Sequence, residues 1–214
     1  MQQCCQDRGL PYVGSGPHAS ELAMDKAASK QVFRKAGLDT PDWVVIEEFN
    51  DTARQAQMLR TPGLPCVLKP VDGGSSVDIV IARTADQRAE GLACLLDKYS
   101  RALVERYVAG REFTVGVLGE QALPVMEIRP RRAFYDYTAK YEDDGTEYIL
   151  DHGLDDQAVG GLMAAPAALA QVVAPIPGTE PDAAATGPQP VAVVAASSLE
   201  DLLNDVDAIG TLVG

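Results

Sequence analysis

Positive charge is missing from the last third of this chain. Every Lys and Arg lies at or before Lys140, while acidic residues continue beyond it. The 214 residues carry a formal net charge of -13, which argues against a nucleic-acid partner. No apolar run reaches the ~18 residues of a membrane-spanning helix, so no membrane partner is expected. The opening stretch MQQCCQDRGL lacks the charged-then-apolar pattern of a secretory signal, so the expected compartment is the cytoplasm. Cysteine is scarce: Cys4, Cys5, Cys66 and Cys94 show no zinc spacing, and the adjacent pair reads as part of a loose reduced terminus. A hydrophobic content of 46% suits one domain of ordinary size or two small ones.

The pattern that is present is mixed. Residues 19–36 read as a helix that Gly37 stops. TPDWVVIEE is a short strand, and NDTARQAQML a helix opened by Asn50. LPCVLKP and VDIVIA are strands joined by Gly73, Gly74, Ser75 and Ser76. A patterned amphipathic helix begins at Thr84 or Asp86. Three further strands follow: ALVERYV, REFTVGVLG and ALPVMEIRP. Residues 10–130 are thus expected to form an α/β (α+β) unit, a mainly antiparallel sheet with helices on one side. AFYDYTAKYEDDGTEY reads as a functional loop. Residues 151–196 are rich in Ala, Pro and Gly, with a linker over 174–190. A last strand (190–196) and a last helix (197–213) are expected after it.

Several residue groups suggest chemistry, each with a plainer alternative. Lys69 ends a strand before Pro70, and the glycines and serines that follow can wrap amides and hydroxyls around an anion. The alternative is a polar hairpin with a solvated lysine. Asp78, at the loop's exit, would repel phosphate if it pointed inward. Glu105 and Glu112 flank a turn at Gly110; read alone, they are surface glutamates paired with Arg106 and Arg111. Lys26 and Lys30 share a helix face and repel each other modestly unless something anionic lies between them. Lys140 with Tyr135, Tyr137 and Tyr141 reads as a lid or as a packed surface loop.

The order of these signals is more telling than any one of them. YVGSG, MDK, GSSV, REFTVGVLG and FYDYTAKY, collinear over residues 10–148, resemble the D-alanine–D-alanine ligases of the ATP-grasp superfamily. The resemblance implies a small ATP-grasp lobe over residues 1–150, followed by an atypical tail over 151–214. It implies that Lys26 and Lys69 contact ATP phosphates and that Ser75 and Ser76 lie on the phosphate loop. Glu105 would meet the adenine amino group, Arg106 and Val108 would present backbone to the ring, and Glu112 would hold the ribose. Lys140 would reach a phosphate. Tyr141 would close over the site and bond to the serine loop, so that Ser75 and Tyr141 stand with the catalytic groups. The activity implied is ATP-dependent joining of two D-alanines for peptidoglycan synthesis, with Mg2+.

The chain departs from that pattern in three places. It opens near the end of the family's N-terminal domain. Beyond Lys140 it shows neither the Arg-x-Asp nor the Glu-x-Asn strand that carries the family's magnesium ligands, so none is assigned. Asp78 stands where the family usually has glycine. Family-like wording is expected to stop by about Gly153, through either a shift of reading frame or a divergent tail. Beside the ligase reading stands another: a non-catalytic nucleotide-binding or interaction module. FYDYTAKY fits the D-alanine branch or its D-lactate and D-serine relatives. A lone lobe exposes its partner face, so self-association is expected.

Overall fold

A computed structural model of the chain describes residues 1–12, 15–47, 56–118, 121–132 and 134–172. The first helical stretch is interrupted. After α1 (Gln2–Asp7), the single helix expected over 19–36 is two, α2 (Pro17–Met24) and α3 (Lys26–Lys35). Asp25 makes the break. Its backbone is extended (φ -89°, ψ 102°), and its carboxylate accepts the Ala28 N–H at 2.8 Å as the N-cap of α3. Ser29 Oγ donates to the Leu22 carbonyl at 2.8 Å, fastening the two helices together. Gly37, at φ +73°, follows the end of α3 as expected.

Strand alternation organises the larger sheet. β1 (Trp43–Ile46), β2 (Cys66–Pro70), β3 (Val80–Ala82) and β4 (Ala102–Arg106) lie in the order β1-β4-β2-β3, all antiparallel. Cys66, Leu68, Ala102, Val104 and Ile46 form an apolar core with Leu92 and Leu95 of α4 (Ala85–Lys98). α4 opens with a capping box between Thr84 and Gln87. It sits close to the sheet at Gly91, where a Cβ would stand 3.3 Å from Val80 Cγ1. The intervening residues, Trp43, Val67, Lys69, Leu103 and Glu105, belong to the other face. There α3 lies over Trp43, with Arg34 4.1 Å and Lys30 5.1 Å from the ring centre. Helices therefore cover both faces rather than one.

The second half is more divided than its hydrophobic pattern suggests. β5 (Glu112–Thr114) pairs with β8 (Met126–Arg129), whereas β6 (Val117–Leu118) pairs with β7 (Gln121–Ala122). The two long strands expected here are each cut in two, because their outer and inner parts join different sheets. At the junction Val115 is fully buried and the Leu123 N–H donates to the Gly116 carbonyl at 2.7 Å. The segment expected as a loop after Ala133 contains α5 (Tyr137–Tyr141) and β9 (Glu147–Ile149), which pairs with β8. Asp136 caps α5 by accepting the Ala139 N–H at 2.8 Å. α6 (Asp156–Val172) begins inside the Ala/Pro/Gly-rich region and touches α3. Of the helix expected after Asn50, residues 56–58 are described and helical. The expected linker, last strand and last helix lie outside the described residues.

Glu127 is the polar pin of the smaller sheet. It is 2% exposed, yet accepts from Arg111 Nε at 2.9 Å and Nη2 at 2.6 Å, and from Arg129 Nη2 at 3.0 Å. Arg111 also donates to the His152 carbonyl, drawing in the segment that follows β9. These hydrogen bonds, the Arg111 ones foremost, hold the Glu127 carboxyl down at about 2, from an ordinary 4.5. A depressed carboxyl stabilises the fold above its unfolded-state value, and that contribution fades as pH falls toward the folded-state value. In urea titrations, the stability gap between the wild type and Glu127→Gln is therefore expected to be widest near pH 7. It should close as pH falls from about 5 to about 2.

Candidate functional site

The glycine–serine loop opens from the polar face of β2. Lys69 is the penultimate residue of that strand, and Val71 just beyond it is buried. The Val71 carbonyl accepts the Lys26 backbone N–H at 3.1 Å and Lys26 Nζ at 3.4 Å; Lys26 Nζ also donates to the Gly73 carbonyl at 3.0 Å. The start of α3 and the root of the loop are thus one structure. Arg101 braces it from below, bridging Asp25 at 3.0 Å and Asp72 at 3.2 Å.

Beyond Gly73 the backbone is left-handed at Ser75 (φ 57°), Ser76 (φ 57°) and Asp78 (φ 58°). Each such non-glycine residue costs about 1 kcal/mol or more. Strain of this kind persists where surrounding contacts enforce it, and here both serines are held. Ser75 Oγ lies 2.9 Å from Tyr141 Oη, and Ser76 Oγ donates to the Tyr135 carbonyl at 3.0 Å. The tyrosine segment thereby folds onto the loop. Buried Tyr135 carries Lys140 Nζ 5.1 Å above its ring, and its hydroxyl lies 2.8 Å from that of Tyr148.

The most unusual electrostatics lie on the polar face of the strand that leads into the loop. Glu105 is 6% exposed, Lys30 6% and Lys69 5%. Glu105 Oε2 stands 2.7 Å from Lys30 Nζ, and Oε1 stands 2.8 Å from Lys69 Nζ. In the register of β2 with β4, Glu105 faces Val67, which makes Lys69 its diagonal neighbour on one face. Burial pushes the Glu105 carboxyl up, but Lys69 and Lys30 outweigh it and hold it below the usual carboxylate range. Burial lowers Lys30, and the attraction of Glu105 offsets this only in part. One carboxylate thus faces two ammoniums, a buried group with net positive charge.

Two of the plainer readings fail here. Glu105 is not a surface glutamate paired with Arg106, because odd positions of β4 face α3. Arg111 pairs with Glu127 across the smaller sheet. Lys26 and Lys30 do share a helix, but neither is solvated: Lys26 meets carbonyls, and Lys30 meets Glu105 and Thr40 Oγ1, the latter at 2.6 Å. Sequence reasoning missed Lys30 as a site residue. The signal was its place one turn after Lys26 on the same helix face, in a helix whose buried residues are Lys26, Ser29 and Lys30.

The remaining candidates lie further along. Arg106 ends β4, with its N–H donating to the Asp42 carbonyl at 3.0 Å. Val108 follows in the connection and is exposed. Glu112 opens β5 opposite Ile128. Among the described residues no group of three or more His, Cys, Asp or Glu is placed to hold a metal ion.

An antiparallel α/β lobe, with lysines buried beside a strained glycine–serine loop, is the class that fold and site define. Residues 32–170 match the family described as D-ala D-ala ligase C-terminus, and the chain belongs to that family. The match continues past Gly153, where family-like wording was expected to stop. The chain is 44% identical over 158 residues to a D-alanine–D-alanine ligase of Synechococcus sp. (strain JA-3-3Ab), covering 73% of this chain and 49% of that protein. Among solved structures it resembles the D-alanine–D-alanine ligase of Bacillus anthracis, at a TM-score of 0.67 and 32% identity, over 80% of this chain and 55% of that one. The same enzyme complexed with ATP matches at a TM-score of 0.64 and 30% identity, over 80% and 54%. The chain therefore spans about half the length of the relatives it matches.

Asp78 is directed to the end of α4 rather than to Lys26, Lys30 or Lys69. Its carboxylate pairs with Lys98 and accepts the Tyr99 hydroxyl, both at the end of α4. These contacts depress its carboxyl, the Lys98 hydrogen bond most of all. Asp78→Gly loses an exposed pair but gains a residue suited to φ 58°. The two effects oppose each other, so Tm is expected to move by less than about 4 °C in a thermal melt. Anion affinity of the loop, measured by calorimetry with ATP, is expected to stay within about twofold of wild type, because the carboxylate faces away.

Proposed function

We propose that this site binds ATP and that the chain takes part in ATP-dependent joining of two D-alanines, a step of peptidoglycan synthesis in the cytoplasm. The observation that carries the reading is the buried Lys30–Glu105–Lys69 group on the strand that leads into a strained glycine–serine loop. A triphosphate is the kind of anion that a net positive, desolvated group favours. The ATP-bound relative supports the choice of nucleotide.

The roles follow the layout. Lys69 and Lys26, at the two roots of the loop, bind phosphate oxygens, with the Ser75 and Ser76 segment wrapped around them. Glu105 accepts from the adenine amino group, with Arg106 and Val108 along the ring and Glu112 at the ribose. Lys140 and Tyr141 close the open side. ATP supplies the phosphoryl group that activates a D-alanine carboxylate. The chain's own contribution is to orient that group and to place fixed positive charge where negative charge builds up. No described residues form a ligand set for Mg2+, and no step is assigned to it. Neither nucleic acid nor a membrane enters the reading, and the expected self-association remains part of it.

The test combines ATP calorimetry with a coupled assay for ADP release in the presence of D-alanine. ATP is expected to bind, and Lys69→Met is expected to weaken binding by roughly tenfold or more, the usual scale for losing a charged hydrogen bond. D-alanine-dependent ADP release supports the ligase. Binding without turnover leaves a nucleotide-binding module, and no ATP binding overturns both.

A further inference from the structure

We propose that Lys30 is a positioning residue: by holding Glu105 through its own ion pair, it frees Lys69 to leave that carboxylate and bind phosphate. The inference rests on the nucleotide reading above and deepens it, since it says what makes one of the two lysines available.

The three groups are unequal. Lys30 is anchored on every side. It pairs with Glu105 at 2.7 Å, donates to Thr40 Oγ1 at 2.6 Å and lies 5.1 Å from the Trp43 ring centre. Its helix is fixed in turn by the Asp25 cap and by the bond from the Lys26 amide to the Val71 carbonyl. For Lys69, the contact described is the 2.8 Å pair with Glu105. Lys69 also stands nearest the loop, two residues before Val71. With both lysines in place, Lys69 can depart and Glu105 remains paired. Without Lys30, departure of Lys69 would strand a carboxylate in a site where Glu105 is 6% exposed, and a stranded buried charge is strongly disfavoured. Lys69 would then stay on Glu105 and be lost to the ligand.

This predicts a selective defect. Lys30→Met should weaken ATP binding by roughly tenfold, which corresponds to about 1.4 kcal/mol, while adenosine binding changes less than about twofold. Adenosine carries no phosphate and makes no demand on Lys69. General damage to the fold would weaken both ligands together. The double variant Lys30→Met/Glu105→Gln removes the carboxylate that captures Lys69, so its preference for ATP over adenosine should return to the wild-type ratio. That variant buries no unpaired carboxylate, so it stays informative even where Lys30→Met does not fold. Calorimetry with ATP and adenosine, on the full chain, reads all three proteins. The inference is overturned if Lys30→Met lowers both affinities in parallel or neither, or if the double variant keeps a reduced ATP preference. Wild-type protein that binds neither ligand overturns the nucleotide reading itself, a result separable from the others.

Discussion

A single buried carboxylate connects the parts of this lobe that matter. Glu105 lies on β4, Lys69 on β2 and Lys30 on α3, so the ion group crosses two strands and the helix above them. Desolvating three charges is costly, and such groups are seldom kept for stability alone. Here the imbalance of two cations to one anion sets the group apart from a neutral pair. The other face of the same strands, with Leu68, Val104, Leu92 and Leu95, supplies the apolar burial that holds the sheet in place.

The glycine–serine loop is held from two directions. Lys26 ties its root to α3, while Tyr141 and Tyr135 hold its serines from the far side. Three left-handed non-glycine residues in a row of four show how firmly these contacts act. Asp78 belongs to that frame. Its charge is spent on Lys98 and Tyr99, so the effect of an acid at the exit of the glycine–serine loop is set by direction rather than by distance.

The sequence disclosed much of this and hid a definite part. The glycine–serine loop, the start of the helix near Thr84 and the four strand segments of the larger sheet were legible, because turn chemistry and strand alternation are local. The break at Asp25 was not, since a capping aspartate inside an Ala- and Lys-rich run looks like any helical acid. The division of the strands after Glu112 was hidden for a different reason: a continuous apolar pattern does not reveal that its halves pair with different partners. Glu105 and Lys30 misled most. Charged residues are usually solvated, and only the fold brings positions 75 residues apart in sequence into one buried contact. Family wording assigned a role to Glu105 but gave none to Lys30.

The central claim is that Glu105 holds two lysines so that one can be lent to a ligand. A structure of the chain with a non-hydrolysable ATP analogue tests it most directly. The account predicts that Lys69 Nζ has moved from Glu105 to a phosphate oxygen, while Lys30 Nζ remains within hydrogen-bond distance of Glu105. Both lysines still on Glu105 with the analogue bound, or Lys30 rather than Lys69 on the phosphate, would contradict it.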